Sequence, residues 1–205
     1  MKIQKALKVS LIILAGLIIG LSIQALKTLS EPIPENERSN AVFAPGFNPG
    51  FSLINHEGEQ VTEQDYNDKY QLVYFGFTFC PEICPTELQK MVRALNEIPE
   101  HQDDIYPMFI SVDPVRDTPE VMKQYLSNFS DDFVGLTGTE AQVDDAMAAF
   151  KVYAAKADDP AYAEYMMDHS SYIYFLNQKG DLLGLYGKNS THEDIAKDLK
   201  IQFGK

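Results

Sequence analysis

The 205-residue sequence predicts one α/β domain that follows a hydrophobic N-terminal segment. The length suffices for one compact domain and an appendage, but not for two full domains. After residue 50, short runs of β-branched and aromatic residues alternate with segments of helical periodicity. The two cysteines are too few for a disulfide scaffold. The element order is an N-terminal β-hairpin, then strand, helix, strand, helix, and finally a hairpin and a helix, which is typical of a thioredoxin-like fold.

The N-terminal segment has the length of a membrane anchor. Residues 9–26 carry no charge and are flanked by Lys8 and Lys27. At about 1.5 Å per residue such a helix spans roughly 27 Å, close to the roughly 30 Å of a bilayer's hydrocarbon core. The alternative is a cleaved signal peptide, but its apolar core is usually about 7–15 residues and ends in a small-residue cleavage site. We therefore expect a single transmembrane helix.

Charge predicts how the chain is oriented. Three lysines precede the hydrophobic run, so the N-terminus is expected in the cytoplasm and the rest in the periplasm. The segment lacks the arginine and serine enrichment of a mitochondrial transit peptide, which favours a bacterial inner membrane. The predicted organisation is a cytoplasmic tail at 1–8, an anchor at 9–26, a proline-containing extended linker at 27–44 and a domain at 45–205.

The net charge limits the partners of the exported part. The chain carries a net charge of -13, and all 30 acidic residues follow residue 30. Because a surface this acidic repels phosphate backbones, we expect no nucleic-acid partner.

The first half of the domain has clear element signals. Residues 51–55 and 60–61 flank His56-Glu57-Gly58 and predict a hairpin. Residues 71–77 form a nearly continuous apolar run, which indicates a strand covered on both faces. Apolar residues at helical spacing predict a helix over about 85–97, and residues 106–112 predict a second buried strand.

The second half is punctuated by helix caps. Thr118 and Pro119 predict the start of a helix whose inward residues are Val121, Met122, Tyr125 and Phe129. A short strand at 133–136 precedes a capping box of Thr139 and Gln142, whose helix turns Val143, Met147 and Phe150 inward. Residues 151–169 are less regular. A hairpin of 171–176 and 181–186 follows, and Ser190 with Glu193 predicts the cap of a last helix carrying Ile195, Leu199 and Phe203.

The only two cysteines mark the candidate site. Cys80 and Cys84 follow the first buried strand and lie where a helix begins. Pro85 suits the first helical position, which predicts Cys84 as the N-cap, where the helix terminus favours a thiolate. A structural disulfide is the alternative, but closing so short a loop stabilises by only about 2 kcal/mol. The pattern therefore favours a redox-active or metal-binding pair.

A histidine offers a third ligand for a metal. His169 comes just before a predicted buried strand that would return beside the strand leading to Cys80, whereas His56, His101 and His192 are predicted to be solvated surface residues. Two sulfurs and an imidazole form a soft donor set suited to Cu(I) or Zn.

Three segments carry a resemblance to a known family. YFGFTFCPEICPTEL at 74–88, SVDPVRDTP at 111–119 and DHS at 168–170 resemble the SCO/SenC family, and the similarity extends over roughly residues 45–203. Members are membrane-anchored copper proteins with a thioredoxin fold that assist assembly of the CuA centre of cytochrome c oxidase. The resemblance implies copper, as Cu(I) or Cu(II), bound by Cys80, Cys84 and His169. Glu82, where aspartate is common, is a mild departure.

The resemblance also implies partners and a second activity. The expected partners are the copper-binding subunit of the oxidase, a periplasmic copper donor or thiol reductant, and the membrane through the N-terminal helix. Members deliver copper, and they reduce a disulfide on the oxidase subunit. The chain is thus expected to be mainly a metallochaperone, with thiol–disulfide exchange at Cys80 and Cys84 as the alternative.

Several residues near the motifs have two interpretations. Asp113, Asp117 and Asp168 are candidates for outer groups that orient the ligands; for Asp113 and Asp117 the simpler roles are a turn and a helix cap. Met166 and Met167 could touch copper during transfer, but methionines at a core edge usually fill gaps.

Two other enzyme classes fit the cysteines less well. Thiol–disulfide oxidoreductases of this fold usually have two residues between the cysteines and a proline before the opposite strand, whereas this chain has three residues and no proline at 167–170. Thiol peroxidases place a threonine three positions before the reactive cysteine, whereas Thr78 is two before Cys80. The sequence also lacks a P-loop and an HExxH motif.

Overall fold

The computed structural model describes residues 47–158, 160–162 and 164–204. The predicted tail, anchor and linker lie outside these residues and stay predictions. In the part of the chain that is described, no helix has the length and apolarity needed to cross a membrane.

Within the described residues, seven strands form one mixed sheet in the order β2-β1-β5-β4-β3-β8-β9, and β6 and β7 form a separate pair. The strands are β1 Ser52–Asn55, β2 Gln60–Thr62, β3 Tyr70–Gly76, β4 Ile105–Ser111, β5 Val134–Thr137, β6 Ala154–Ala157, β7 Met166–His169, β8 Ile173–Leu176 and β9 Leu182–Tyr186. The parallel strands β3, β4 and β5 lie at the centre. This confirms the thioredoxin-like α/β fold and its N-terminal hairpin.

Four α-helices accompany this sheet in the described residues: α1 Ile83–Asn96, α2 Pro119–Leu126, α3 Glu140–Phe150 and α4 His192–Phe203. Short 3-10 helices occupy Glu63–Tyr66 and Pro99–Asp104. Helix α1 packs against α4, and α2 packs against β5. The amphipathic pattern predicted for α1 is confirmed, because Leu88, Met91 and Leu95 are buried.

The central strand β3 positions the candidate site. Its residues Leu72–Phe75 are fully buried, as a strand covered on both faces requires. Strand β8 runs antiparallel beside it, with Ile173 opposite Tyr74. The residues before β8 therefore lie next to the residues after β3, so the topology brings the His169 and Cys80 segments to the same edge.

The caps predicted for α2 and α3 are confirmed, and the cap predicted for α4 is wrong. The Thr118 hydroxyl accepts a hydrogen bond from the Val121 N–H, and Thr139 forms the capping box with Gln142. At α4 the cap is Thr191 with Asp194, not Ser190 with Glu193. Both pairs have the same spacing and the same chemistry, so the sequence pattern alone does not choose between them.

Two other predictions need correction. Val121 was expected to face inward but is 38% exposed, because the eight-residue helix α2 buries Met122 and Leu126 instead. Residues 151–169 contain an unpredicted antiparallel pair, β6 and β7, in which Ala154 lies opposite His169. Strand β6 reads Ala-Ala-Lys-Ala, which lacks the β-branched and aromatic residues that signal a strand.

Candidate metal centre

Both cysteines lie where β3 gives way to α1. They are free cysteines, with Cys84 fully buried and Cys80 8% exposed. Helix α1 begins at Ile83 with Glu82 as its N-cap, so the prediction that Cys84 is the N-cap is wrong. Proline is tolerated throughout the first turn, where its missing N–H has no intrahelical acceptor. Pro85 is the third helical residue here, so the helix starts earlier than its position suggested.

Cys80, rather than Cys84, provides the sulfur at the helix terminus. Its Sγ accepts a hydrogen bond from the Cys84 N–H at 3.3 Å. A hydrogen bond from the Cys84 thiol, together with backbone N–H groups of Cys84, Glu82 and Ile83, lowers the pKa of Cys80 to about 5 despite its burial. The hydrogen bond to Cys80 and burial raise the pKa of Cys84 above its usual value. At neutral pH the metal-free pair is therefore a Cys80 thiolate and a Cys84 thiol.

We expect this asymmetry to appear in alkylation of the reduced, metal-free chain. Because the pKa of Cys80 is about 5, its rate of reaction with iodoacetamide should change little between about pH 8 and about pH 6 and fall below that range. Cys84→Ala removes the strongest hydrogen bond and should move the midpoint to higher pH. Mass spectrometry of the Cys80 peptide measures the rate, and a wild-type midpoint near 8.5, the usual thiol value, would contradict the assignment.

His169 presents one ring nitrogen to Cys84. Its Nε2 lies 3.8 Å from the Cys84 Sγ, and its Nδ1 lies 3.0 Å from the Ser170 carbonyl oxygen. A carbonyl only accepts, so Nδ1 donates its proton there and Nε2 keeps a free lone pair. The ring meets Tyr74 and Phe77 edge-on, with centroids 6.2 and 5.9 Å away. These contacts fix the imidazole in an orientation suited to a ligand.

The Cys84–His169 separation fits a shared metal ion. Bonds of about 2.3 Å to sulfur and about 2.0–2.1 Å to nitrogen place the two donor atoms roughly 3.8 Å apart at an angle of about 120°. The Cys84 thiol also donates a hydrogen bond to the Cys80 sulfur, so Cys84 contacts both other candidate donors. As they stand, however, no three His, Cys, Asp or Glu side chains among the described residues are clustered closely enough to hold an ion. The donor chemistry suits a soft cation. The Cys80 sulfur must move toward the ion for all three side chains to bind it.

The other three histidines lie elsewhere and have their own contacts. The His56 Nδ1 accepts the Gly135 N–H at 2.9 Å, and His101 stacks on Phe203. His192, the first residue of α4, lies within ion-pair distance of Glu97 and Glu193. All three were predicted to be solvated, but each is partly buried.

Asp117 holds the loop that carries the cysteines. It is fully buried and accepts hydrogen bonds of 2.6 Å from the hydroxyls of Thr78 and Ser111, and a further bond from the Thr78 N–H. Burial raises the pKa of this carboxyl, and the hydrogen bonds from Ser111 and Thr78 oppose that shift. Asp117 therefore ties the end of β4 to the residue two positions before Cys80.

Asp113 supports the segment that leads to His169. Buried Asp113 forms an ion pair with Arg116 and accepts a hydrogen bond of 2.9 Å from the Tyr165 hydroxyl. Arg116 donates to the Tyr165 carbonyl at 2.9 Å, and its guanidinium lies over the rings of Tyr165 and Phe79. Phe79 precedes Cys80, and Tyr165 precedes β7. The cluster thus joins the two segments that carry Cys80 and His169. Sequence reasoning did not identify Arg116 as part of it.

The remaining candidate residues, Asp168, Met166 and Met167, do not contact the cysteines in the described residues. Asp168 is exposed, while Met166 and Met167 are half-buried and pack against the core. No described contact joins any of these three side chains to the cysteines.

Gly76 and Tyr74 are site residues that sequence reasoning did not single out. A Cβ at Gly76 would lie 2.8 Å from the Cys84 Sγ and 2.8 Å from the Phe109 ring. The absence of a side chain there is what allows Cys84 to approach β3. The available signal was a glycine inside a continuous buried strand, which often marks a close approach.

Comparison with known proteins identifies relatives across this domain. The SCO1/SenC family model matches residues 40–203. The chain is 42% identical over 158 residues to Protein sco1 of Schizosaccharomyces pombe, an alignment covering 76% of this chain and 60% of that protein. It is 38% identical over 208 residues to an SCO2-like protein of Rickettsia conorii, covering 98% and 99% of the two chains. The chain therefore spans well under the full length of the S. pombe relative.

Solved structures share the fold. The crystal structure of Arabidopsis thaliana ScoI with copper bound has a TM-score of 0.73 and 34% identity, covering 78% of this chain and 99% of that one. BsSco, described as a member of the Sco family of cytochrome c oxidase assembly proteins with a disulfide switch, has a TM-score of 0.58 and 25% identity over 79% and 97% of the chains. The matches in sequence and in fold agree: the chain belongs to the SCO1/SenC family.

Proposed function

We propose that this chain is a membrane-anchored copper chaperone that binds copper through Cys80, Cys84 and His169 and assists assembly of the CuA centre of cytochrome c oxidase. The observation that carries the proposal is the 3.8 Å approach of the His169 Nε2 to the Cys84 Sγ, beside the helix terminus where Cys80 lies. Support comes from the copper in the Arabidopsis structure and from the oxidase-assembly role ascribed to the BsSco family.

The different burial of Cys84 and Cys80 suggests different roles for their sulfurs in copper binding. Cys84 is fully buried and contacts both other donors, so it would anchor the ion. Cys80 retains some exposure, and its neighbour Phe79 is 47% exposed. An acceptor's own ligands would therefore reach the ion from the Cys80 side. Because thiols must lose their protons to bind a metal, copper loading would release the proton held by Cys84.

The proposed setting is the periplasmic face of a bacterial inner membrane. Residues 9–26 would anchor the chain, and the linker 27–44 would separate the anchor from the copper domain. At about 3.3 Å per residue, 18 linker residues reach at most about 60 Å. That reach would let the domain meet both a copper donor and the copper-binding subunit of the oxidase at the membrane surface.

Thiol–disulfide exchange is a second candidate, which the Cys80 thiolate favours. Cys80 would attack one sulfur of a disulfide on the oxidase subunit, forming a mixed disulfide and releasing one thiolate. Cys84, after losing its proton, would then attack Cys80 and release the second thiolate. Two electrons pass to the substrate disulfide, and Cys80 and Cys84 end as a disulfide.

Copper transfer to the purified copper-binding domain of the oxidase subunit tests the two functions together. We expect the Cu(I)-loaded chain to deliver its metal to the reduced domain, and the Cys80→Ser variant to deliver much less. The copper content of the separated proteins measures transfer. Failure of the loaded chain to deliver, with rapid reduction of the domain's disulfide by the metal-free chain, would establish the redox function instead.

A further inference from the structure

A buried tyrosine hydroxyl contacts the sulfur of Cys84. Tyr74, on the central strand β3, is fully buried, and its hydroxyl donates a hydrogen bond to the Cys84 Sγ at 3.8 Å. On its other side the same hydroxyl lies 3.1 Å from the hydroxyl of Ser171. The Tyr74 hydroxyl thus links the Cys84 sulfur to Ser171, which lies two residues before β8.

Proton counting gives this chain of hydrogen bonds a direction. A thiolate can only accept, so once Cys84 binds a metal its sulfur accepts a hydrogen bond from the Tyr74 hydroxyl, alongside the backbone N–H of Phe77. The Tyr74 oxygen then accepts from Ser171, whose hydroxyl can rotate to donate. The order is therefore Ser171 to Tyr74 to Cys84. Hydrogen bonds arranged in such a chain polarise and strengthen one another.

Packing fixes the position of the tyrosine. Its ring stacks on Phe109 with centroids 6.2 Å apart and meets His169 edge-on at 6.2 Å. A Cβ at Gly76 would lie only 3.0 Å from the Tyr74 ring. A side chain with so little room presents its hydroxyl to Cys84 in one orientation, which is a preorganised donor rather than an incidental contact.

We infer that Tyr74, oriented by Ser171, tunes the copper site by hydrogen bonding to the Cys84 sulfur. This inference rests on the proposed copper function. A donor withdraws electron density from the ligand sulfur, which weakens its stabilisation of Cu(II) more than of Cu(I). Tyr74 therefore raises the copper reduction potential. It also raises the potential of the metal-free Cys80–Cys84 couple, because a reduced sulfur accepts hydrogen bonds better than a disulfide sulfur.

The test uses the full-length chain with Tyr74→Phe, which keeps the ring and removes only the hydroxyl. We expect the sulfur-to-copper charge-transfer band of the Cu(II) form to move to lower energy and the copper potential to become more negative. The potential of the metal-free dithiol, measured by equilibration with glutathione, should shift in the same direction. Ser171→Ala should give smaller shifts of the same sign, and Ser171→Thr, which keeps a hydroxyl, should restore the wild-type values.

Tyr186→Phe is the matched control. Tyr186 is also buried, but its hydroxyl donates at 2.9 Å to Asp198 on α4, so the variant loses a partly buried hydrogen bond that involves neither cysteine. It should leave the band and both potentials unchanged. A wild-type band that persists unaltered in Tyr74→Phe, with unchanged potentials, overturns this inference alone. Absence of any sulfur-to-copper band in the wild-type chain overturns it together with the proposed function.

Discussion

His169→Ala, Cys80→Ser and Cys84→Ser are each expected to weaken Cu(I) binding severely. Losing an outer hydrogen-bonding partner of a metal ligand typically costs about 10–100-fold in affinity, and losing a ligand should cost more. Cys84→Ser should have the largest effect, because Cys84 contacts both other donors. Competition with a chromophoric Cu(I) chelator measures the affinity and the stoichiometry.

His192→Ala is the control for these variants. His192 is also partly buried but belongs to the start of α4, where it lies near Glu97 and Glu193. Its removal should leave copper binding unchanged. One tightly bound copper with wild-type affinity in all three ligand variants would show that the ion is held elsewhere.

Gly76→Ala is expected to destabilise the fold and weaken copper binding together. The added Cβ would lie 2.8 Å from the Cys84 Sγ and from the Phe109 ring, both of which are fully buried. Overpacking a well-packed core typically costs about 1–3 kcal/mol, so the free energy of unfolding should fall by about that amount. Displacement of the Cys84 sulfur should lower the Cu(I) affinity as well. Urea unfolding and chelator competition measure the two effects.

Gly135→Ala separates the local effect on Cys84 from general destabilisation. Gly135 lies on strand β5, and an added Cβ there would lie 2.6 Å from a methyl group of Leu126 rather than near Cys84. We expect it to lower stability while leaving copper affinity near the wild-type value. Equal loss of copper affinity in both glycine variants would mean that Gly76 has no specific role at the site.

The elements that the sequence predicted well are those with strong local signals. Strand β3 is a nearly continuous apolar run, and Thr139 with Gln142 is an unambiguous capping box. Strands β6 and β7 were missed because Ala154–Ala157 is stabilised by pairing with β7 rather than by its own residue preferences. Boundaries shifted where two adjacent pairs offered the same chemistry, as at the start of α4.

The site shows the same division. The cysteine pair and its place after a buried strand could be predicted from the sequence, and the strand after His169 was expected to return beside the strand that leads to Cys80. The environment of the sulfurs could not be predicted in this way. Which cysteine receives the backbone N–H groups depends on where α1 begins, and the contact of Tyr74 with Cys84 depends on side-chain packing across the sheet.

X-ray absorption at the copper edge, on the full-length chain loaded with one Cu(I), tests the proposed ligand set most directly. Two sulfur neighbours and one imidazole nitrogen are the predicted result, and His169→Ala should remove the imidazole scattering while leaving sulfur. A spectrum of nitrogen and oxygen neighbours with no sulfur, or one that His169→Ala does not alter, would contradict the assignment.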